Sequence, residues 1–275
     1  MSFPVSGCLW VVATPIGNRH DFSARAIDTL RQVALVAAED TRHSRPLLRY
    51  YQIATPLIAL HEHNEQEAVK TVLCRLQAGA SVALICDAGT PLISDPGFRL
   101  LRAARTAGMR CAPVPGACAA IAALSVAGLP SDRFVFEGFL PPKSAARRAR
   151  LRVLMREPRT LIFYESAHRL AESLRDMCDV LGRQRDVVLA RELTKLFETV
   201  LSNSLEGLAA HIGSNPQQQR GEHVLVVAGC GDEVDAKLTE GKRVFVLLRE
   251  ALPPGKAARL AAAITGAPRR ALYDA

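Results

Sequence analysis

The sequence lacks the features that mark membrane and secreted proteins. It has no run of about 18 apolar residues, so no bilayer-spanning helix is predicted. Its first residues, MSFPVSGC, lack the positive start and the apolar core of a signal peptide. We therefore expect a cytoplasmic protein.

Cysteine is present, but not in a pattern that suggests a disulfide framework or a zinc site. The cysteines are seven, an odd number, and no two of them have CxxC spacing. They are scattered along the chain at Cys8, Cys74, Cys86, Cys111, Cys118, Cys178 and Cys230. We interpret them as small core residues in a reducing compartment, and no metal is predicted.

Two common nucleotide-binding motifs, GxGxxG and GxxxxGK[ST], are absent as well. Neither a dinucleotide nor a nucleoside triphosphate is therefore the predicted ligand. The 275 residues are 49% hydrophobic and 23% charged, which is typical of a globular protein with one large or two modest domains.

Three segments share one pattern, in which an apolar run ends at a loop rich in glycine and proline. Their sequences are CLWVVATPIGNRHD at 8–21, SVALICDAGTPLISDPG at 81–97 and CAPVPGACAAIAALSVAGLP at 111–130. Each of them alone fits an ordinary turn between a strand and a helix. Three in one half of the chain favour a shared ligand site beyond the carboxyl ends of parallel strands.

Strand-like and helix-like patterns alternate up to about residue 128. The strand-like runs are 9–13, 35–38, 57–60, 82–86 and 111–114. Helix-like patterns lie between them at 23–32, 44–51, 66–77 and 98–107. This alternation predicts an α/β fold with a parallel sheet and helices on both of its faces.

The break GLPSD at 128–132 predicts a domain boundary. Beyond it, some strand-like runs follow each other without a long helix between them, which favours a mixed second sheet. The predicted parts are an N-terminal α/β domain at 8–128, a C-terminal α/β domain at 132–232 and a tail at 242–275. The tail has two short helical patterns around Gly266 that resemble a helix-turn-helix, although a helical appendage explains the same pattern.

Positive charge is concentrated in one segment of the chain. The net charge is +8, and residues 143–159 contain a single acid, Glu157, among seven basic residues. Such clusters favour binding of a polyanion such as nucleic acid, and Arg147, Arg148 and Arg150 are the predicted contacts with it. A solvated helix face is the alternative interpretation.

Several motifs together resemble one family. They include VATPIGN, CDAGTPLISDPG, RTLIFYES and ARELTK, and the similarity runs from about residue 9 to residue 229. The chain resembles the bacterial small-subunit rRNA (cytidine-2′-O)-methyltransferases of the tetrapyrrole-methylase superfamily, and its tail resembles their C-terminal helix-turn-helix. The resemblance implies two α/β domains with S-adenosylmethionine (SAM) in a cleft between them, usually in a homodimer. It also implies methylation of a cytidine ribose in the decoding centre of 16S rRNA, on the small ribosomal subunit.

The same resemblance, together with the loop pattern, implies which residues contact SAM. They are Asp87, Ala88, Gly89, Thr90, Ile93, Pro115, Gly116, Cys118, Ala119, Tyr164, Leu193 and Val224. One departure is Ala117, because relatives usually have proline at that position. Alanine keeps the small volume but loses the fixed φ, so a looser loop is expected.

Methyl transfer from SAM mainly requires an acceptor oxygen that is held in line with the methyl group. A general base that removes the proton of that oxygen accelerates the reaction by roughly 10²–10⁴-fold. The predicted catalytic residues are Glu165, Glu192 and Lys195. The predicted substrate-binding residues, besides the arginines of the basic segment, are Asp40, Arg42, His61 and His63.

Structural roles are the alternatives for several of these residues. Glu165 could cap a helix that begins near His168, and Lys195 could contact phosphate. Asp40 could pair with Arg42 or cap the following helix. The two histidines of HEH could bind a metal as a pair, but no third ligand matches them.

Two other functions are compatible with the sequence. A tetrapyrrole C-methyltransferase of the same superfamily also acts on an anionic substrate. The basic segment, the added tail and ATPIGN in place of a glycine-richer turn disfavour it. A non-catalytic RNA-binding module for ribosome assembly would bind small-subunit RNA without methyl transfer.

Overall fold

The first unit of the fold is built on a five-stranded parallel sheet. The structure, a computed structural model, describes residues 7–61, 64–231 and 233–273. The strands are β1 (Cys8–Val12), β2 (Leu35–Ala38), β3 (Leu57–Ala59), β4 (Val82–Ile85) and β5 (Arg110–Val114). Their order is β3-β2-β4-β1-β5, so β4 is central. Every residue of β2 and β4 is buried, as expected where helices cover both faces.

Helices pack on both faces of this sheet. They are α1 (Ala24–Gln32), α2 (Thr41–Tyr50), α3 (Glu65–Gln77), α4 (Phe98–Thr106) and α5 (Ala119–Val126), with a short 3₁₀ helix at Arg19–Asp21. Leu30 of α1 and Leu48 of α2 belong to one core, whereas Leu76 of α3 and Leu100 of α4 belong to another. Successive residues of β4 alternate between the two cores, so these lie on opposite faces of the sheet. The predicted α/β fold is confirmed.

The second unit contains a mixed sheet. Its strands are β6 (Phe134–Phe139), β7 (Thr160–Ser166), β8 (Asp186–Arg191), β9 (Thr199–Ser204) and β10 (Glu222–Val227). Their order is β6-β7-β10-β8-β9, with β6 parallel and β10 antiparallel to β7. Three helices accompany the sheet, α6 (Ser144–Leu154), α7 (Leu170–Leu181) and α8 (Leu205–Ser214), with a 3₁₀ helix at Pro216–Gln219. Their core includes Phe163, Leu174 and Leu208.

Three further helices form the C-terminal part of the chain. They are α9 (Glu233–Arg249), α10 (Pro254–Thr265) and α11 (Arg269–Tyr273). Phe245, Ala257 and Leu272 belong to a small core that these helices share. A short turn at 266–268 joins α10 to α11, as in a helix-turn-helix.

The chain passes between the two units more than once. The first unit runs to Ala123, the second begins at Leu124, and Arg191–Thr199 returns to the first. The three-part division with boundaries at 128–132 and 242 stays a prediction. No helix in the described part of the chain is long and apolar enough to span a bilayer.

The basic segment forms α6, whose buried face holds an ion pair. Arg147 is only 1% exposed, and its Nε donates to Oδ2 of Asp176 in α7 at 2.6 Å. The hydroxyl of Ser144 donates to the same carboxylate oxygen at 2.9 Å. Arg147 therefore has a structural role in this unit, and its burial disfavours the prediction that it contacts RNA.

The other two predicted RNA contacts of α6 also have carboxylate partners. Nη1 of Arg148 lies 2.6 Å from Oδ2 of Asp179, and Arg150 donates two hydrogen bonds of 2.7 and 2.8 Å to Glu137 in β6. Phosphate would have to compete with these carboxylates for the same guanidinium groups. RNA binding by Arg148 and Arg150 stays a prediction. Because carboxylates already pair with these guanidinium groups, fewer positive charges of α6 are available to RNA than its sequence indicates.

Loss of the buried carboxylate should destabilise the second unit. In Asp176→Ala, Arg147 keeps its buried position without its main partner, and we expect the free energy of unfolding to fall by about 3–5 kcal/mol. Asp179→Ala is the control, because Asp179 is half exposed and a surface pair contributes about 0–1 kcal/mol. Chemical denaturation of both variants measures the two losses, and equal losses would contradict the prediction.

Candidate functional site

The carboxyl ends of the first sheet bring the predicted loops to one edge. All of its strand pairs are parallel, so the residues that follow the strands lie on the same side of the sheet. In the order of the strands, this edge carries His61, Glu39, Asp87, Thr14 and Pro115. The topology thus places polar groups of several loops along a single row.

Two main-chain hydrogen bonds join the loop after β1 to the loop after β4. The N–H of Thr14 donates to the carbonyl of Gly89 at 2.8 Å, and the N–H of Gly89 donates to the carbonyl of Thr14 at 3.1 Å. The Thr14 hydroxyl donates to the carbonyl of Cys86 at 3.2 Å. Since Thr14 is buried, these bonds are shielded from water, and they fix Gly89 relative to β1.

Gly89 occupies a conformation and a space that suit glycine. Its φ is +89°, and an added Cβ would lie 3.3 Å from Cγ2 of Ile16. The next residue, Thr90, donates its hydroxyl to the carbonyl of Ala117 at 2.9 Å. This bond ties the loop after β5 to the loop after β4 and holds the carbonyl of Ala117 in place.

Among the described residues, those other than glycine with positive φ belong to the first unit. They are Gln52 at +55°, Leu92 at +77°, Ser94 at +70°, Glu192 at +52° and Thr194 at +66°. Such conformations cost about 1–3 kcal/mol each in residues other than glycine, and they cluster at functional sites. Ile93 lies between two of these residues in the loop after β4.

The segment Arg191–Thr199 packs against the turn after β1. The N–H of Asn18 donates to Oγ1 of Thr194 at 3.1 Å. Gly17 permits this approach, since a Cβ there would lie 3.0 Å from Oγ1 of Thr194 and 3.1 Å from the carbonyl oxygen of Leu193. The structure therefore brings Leu193, a predicted cofactor contact, to the loop after β1.

Two predicted catalytic residues form an ion pair in this segment. Nζ of Lys195 lies 2.9 Å from Oε1 of Glu192, and both side chains are largely shielded from solvent. The segment thus presents a carboxylate and an ammonium group together, beside the loop after β1. This combination can accept a proton and can stabilise a negative charge.

The third predicted catalytic residue, Glu165, has a different environment. It is 2% exposed, and it accepts hydrogen bonds from the N–H of Ser166 at 2.8 Å and from the hydroxyl of Ser173 at 2.5 Å. Nε of Arg169 lies 3.2 Å from the same carboxylate. These partners belong to the end of β7 and the start of α7, so Glu165 holds the start of that helix. The structure shows this structural role, and a catalytic role of Glu165 stays a prediction.

Several acidic residues lie close together in the loops that follow β2 and β4. The N–H of Asp40 donates to Oδ1 of Asp87 at 3.1 Å, and the N–H of Asp87 donates to Oε2 of Glu39 at 3.4 Å. The pKa of Asp95 is raised to about 6, mainly because the carboxyl is buried. The negative charges of Glu39 and Asp87 raise this pKa further, whereas a hydrogen bond with Cys86 lowers it by less than burial raises it. Asp95 was not among the site residues predicted from the sequence, although its place in the loop after β4 was a signal.

The remaining substrate-binding candidates lie at the starts of two helices. Asp40 caps α2, since its Oδ1 accepts the N–H of Arg42 at 2.8 Å. Its Oδ2 pairs with the Arg42 guanidinium at 2.7 Å, and this partner holds the pKa of Asp40 well below its usual range. His61 is exposed, and its N–H donates to Oδ1 of Asn64 at 2.9 Å. His63 lies outside the described residues.

The predicted cofactor contacts of the second unit pair across two strands. Tyr164 of β7 lies opposite Val224 of β10, and Val224 is buried. The Tyr164 ring meets Phe136 and Phe139 edge-on, with ring centroids 5.0 and 5.6 Å apart. Contact of Tyr164 and Val224 with SAM stays a prediction.

Known families match the chain over most of its length. Residues 8–209 match the family described as Tetrapyrrole (Corrin/Porphyrin) Methylases, and residues 235–275 match the RsmI C-terminal HTH domain. The chain is 58% identical over 273 residues to ribosomal RNA small subunit methyltransferase I of Xylella fastidiosa (strain Temecula1), which covers 99% of each protein. The protein of that name from Escherichia coli O157:H7 is 52% identical over 97% of this chain and 93% of its own length.

A solved structure shares the fold at low sequence identity. It is uroporphyrin-III C-methyltransferase of Thermus thermophilus complexed with S-adenyl homocysteine, with a TM-score of 0.55 and 16% identity. The match covers 81% of this chain and 97% of that one. At this identity the similarity concerns the fold alone.

The raised pKa of Asp95 predicts a pH-dependent stability. Its value in the folded protein, about 6, exceeds the ordinary value of about 4, so the folded protein binds this proton more tightly than the unfolded chain. The stabilising contribution is present below about pH 4 and is lost as the pH rises to about 6. In the Asp95→Asn variant the asparagine side chain cannot ionise. As the pH rises from about 4 to about 6, the free energy of unfolding of this variant should therefore increase relative to that of the unsubstituted chain.

Denaturant titrations at several pH values measure this difference. The gain should level off roughly one pH unit above the folded-state pKa of about 6, where Asp95 is mostly ionised in the folded protein as well. Asp21→Asn, at an exposed position, is the control. A difference that stays constant from pH 4 to pH 7 would show that Asp95 titrates normally.

Proposed function

The chain belongs to the tetrapyrrole (corrin/porphyrin) methylases, and on this basis we propose that it is a SAM-dependent methyltransferase of small-subunit ribosomal RNA. The observation that carries the proposal is the 58% identity to a ribosomal RNA small subunit methyltransferase I along 99% of both proteins. The finer assignment is 2′-O-methylation of a cytidine ribose in the decoding centre of 16S rRNA. In this proposal a cytoplasmic homodimer acts on the small ribosomal subunit.

We assign the SAM site to the loops after β4 and β5. Side chains there are small, at Ala88, Gly89 and Cys118, which leaves main-chain groups accessible to a ligand. The hydrogen bonds of Thr14 and Thr90 hold both loops in place. When bound, SAM supplies a methyl group on a positively charged sulfonium that is already activated for transfer.

Removal of the acceptor proton is assigned to the Glu192–Lys195 pair. Glu165 is engaged at the start of α7, so Glu192 is the remaining carboxylate among the three predicted catalytic residues. Its positive φ and its ion pair restrict its orientation. Glu192 would accept the proton of the ribose 2′-hydroxyl, while the Lys195 ammonium would stabilise negative charge on that oxygen.

The experiment that tests this function is transfer of labelled methyl from SAM to small ribosomal subunits that lack the modification. Digestion to nucleosides and mass spectrometry would identify the labelled product. Label on a cytidine ribose is the expected result. No label, with SAM binding intact, would overturn the proposal and favour a tetrapyrrole C-methyltransferase or a non-catalytic RNA-binding module.

Substitution of Glu192 separates the catalytic assignment from a structural one. Glu192→Gln keeps the shape but cannot accept the proton, so kcat should fall roughly 10²–10⁴-fold while SAM affinity stays unchanged. Glu165→Gln is the matched control, and we expect it to lower stability while leaving kcat of the folded enzyme near its original value. Single-turnover methyl transfer measures both variants. A larger loss of kcat in Glu165→Gln would reverse the assignment.

Substitution of Gly89 tests the SAM site. In Gly89→Val, a β-branched residue would have to take a φ of +89° with its Cβ against Ile16, so the loop must shift and SAM affinity should fall at least about tenfold. Gly108→Val is the control, since Gly108 also has positive φ, at +71°, but a Cβ there would meet nothing within 4 Å. Calorimetric titration with SAM measures both, and equal affinities would contradict the assignment.

A further inference from the structure

Helix α2 carries two arginines, Arg45 at its middle and Arg49 in its last turn, whose surroundings differ from those of the α6 arginines. Arg45 and Arg49 are exposed, and within the described part of the chain neither has a carboxylate partner. They lie four residues apart, so their side chains project from the same face of the helix. Arg42, near the start of α2, is paired with Asp40. Two guanidinium groups are thus available to an anion on this face of the helix.

These arginines line a concave site of about 560 Å³, which we call the α2 groove. Its lining continues through the segment 52–57, which leads into β3. Ala54, Pro56 and Leu57 give the groove an accessible apolar part, which lies over the buried side chains of Leu48 and Ile53. A site that combines apolar surface with two cations suits a ligand that has both a flat apolar group and negative charge, as a nucleotide does.

The arginines are not needed to complete the end of the helix. The N–H of Tyr51 donates to the carbonyl of Leu47 at 3.3 Å, and the N–H of Ile53 donates to the carbonyl of Leu48 at 2.9 Å. These carbonyls of the last turn therefore have main-chain partners. Capping does not account for the two guanidinium groups.

An exposed aromatic ring lies at the same end of α2. Tyr50, the last residue of the helix, is 53% exposed, and the guanidinium of Arg19 lies 4.6 Å from its ring centroid. The Tyr51 hydroxyl donates to the carbonyl of Arg19 at 2.6 Å, and this bond holds the 3₁₀ helix Arg19–Asp21 beside the end of α2. Proteins that bind single-stranded RNA use such rings and guanidinium planes to stack bases.

We propose that the α2 groove and Tyr50 bind a single-stranded or looped segment of the substrate RNA, with phosphates at Arg45 and Arg49 and a base at Tyr50. This inference rests on the proposed function, since it assigns a surface to the substrate of that reaction. Two cations alone would equally attract an acidic protein surface. The apolar lining and the exposed ring favour RNA, because they offer surfaces on which bases stack.

The position of α2 agrees with this role. The helix begins after Asp40, at the carboxyl edge of the first sheet, and it has ten residues, which corresponds to about 15 Å. The groove lies at the other end of α2, where residues 52–57 lead into the amino end of β3. RNA bound there would have to run along α2, a distance of about 15 Å, for another nucleotide of the same strand to reach the cofactor.

The salt dependence of RNA binding tests the phosphate contacts. The full chain with Arg45→Gln and Arg49→Gln should bind a single-stranded 16S rRNA fragment more weakly, with a slope of log affinity against log salt reduced by about 1.4, or 0.7 per phosphate. Its SAM affinity and its kcat at saturating RNA should stay unchanged. The control is Arg102→Gln with Arg105→Gln on α4, which removes the same charge from exposed positions on the opposite face of the sheet.

An equal change of slope in both double variants would overturn the proposal, because the effect would then be that of net charge. Unchanged affinity for the RNA fragment but weaker binding to whole small subunits would also overturn it, in favour of a protein contact. The labelled-methyl experiment distinguishes a failure of the proposed methyltransferase function from a failure of the proposed RNA-binding surface. A chain that binds RNA through the α2 groove but transfers no methyl group would overturn the function and leave this surface assignment standing.

Substitution of Tyr50 tests base stacking independently of charge. Tyr50→Ala should weaken binding of the same RNA fragment about tenfold without changing the salt slope, because stacking involves no phosphate. Tyr50→Phe keeps the ring and should restore the affinity. Equal losses in Tyr50→Ala and Tyr50→Phe would show that the ring does not stack on a base.

Discussion

The antiparallel bridge between Thr14 and Gly89 is the contact on which the candidate site depends. It joins the loops of two neighbouring strands through two buried main-chain hydrogen bonds, and the hydroxyl of Thr90 extends the connection to Ala117. Loops of glycine, proline and other small residues have few side chains with which to pack. The parallel order of the strands brings them to one edge, and the bridge gives that edge a defined surface.

The fold of the first unit could largely be predicted from its sequence. Apolar runs such as 82–86 and the helical patterns between them depend on neighbours in the chain, so the alternation of strands and helices is visible without a structure. The loops with Gly89 and Pro115 could be found for the same reason, because glycine and proline mark turns locally. The role of Thr14 was not visible, since its partner lies 75 residues away.

The surroundings of several predicted site residues depend on tertiary contacts, which the sequence does not show. Arg147 and Arg150 meet carboxylates 29 and 13 residues away, so a run of positive charge does not reveal which charges are neutralised. Burial likewise decides the pKa of Asp95. The same reasoning explains why the α2 groove is invisible in the sequence. Its two arginines are less conspicuous than the basic segment, but they lack carboxylate partners among the described residues.

Photo-crosslinking of SAM to the intact protein tests most directly whether the carboxyl edge of the first sheet is the cofactor site. After irradiation with radiolabelled SAM and tryptic digestion, the label should lie on peptides 76–99 and 111–133, which contain the loops after β4 and β5. An excess of unlabelled S-adenosylhomocysteine should abolish the labelling. Label confined to peptides of the second unit would contradict the assignment of SAM to these loops.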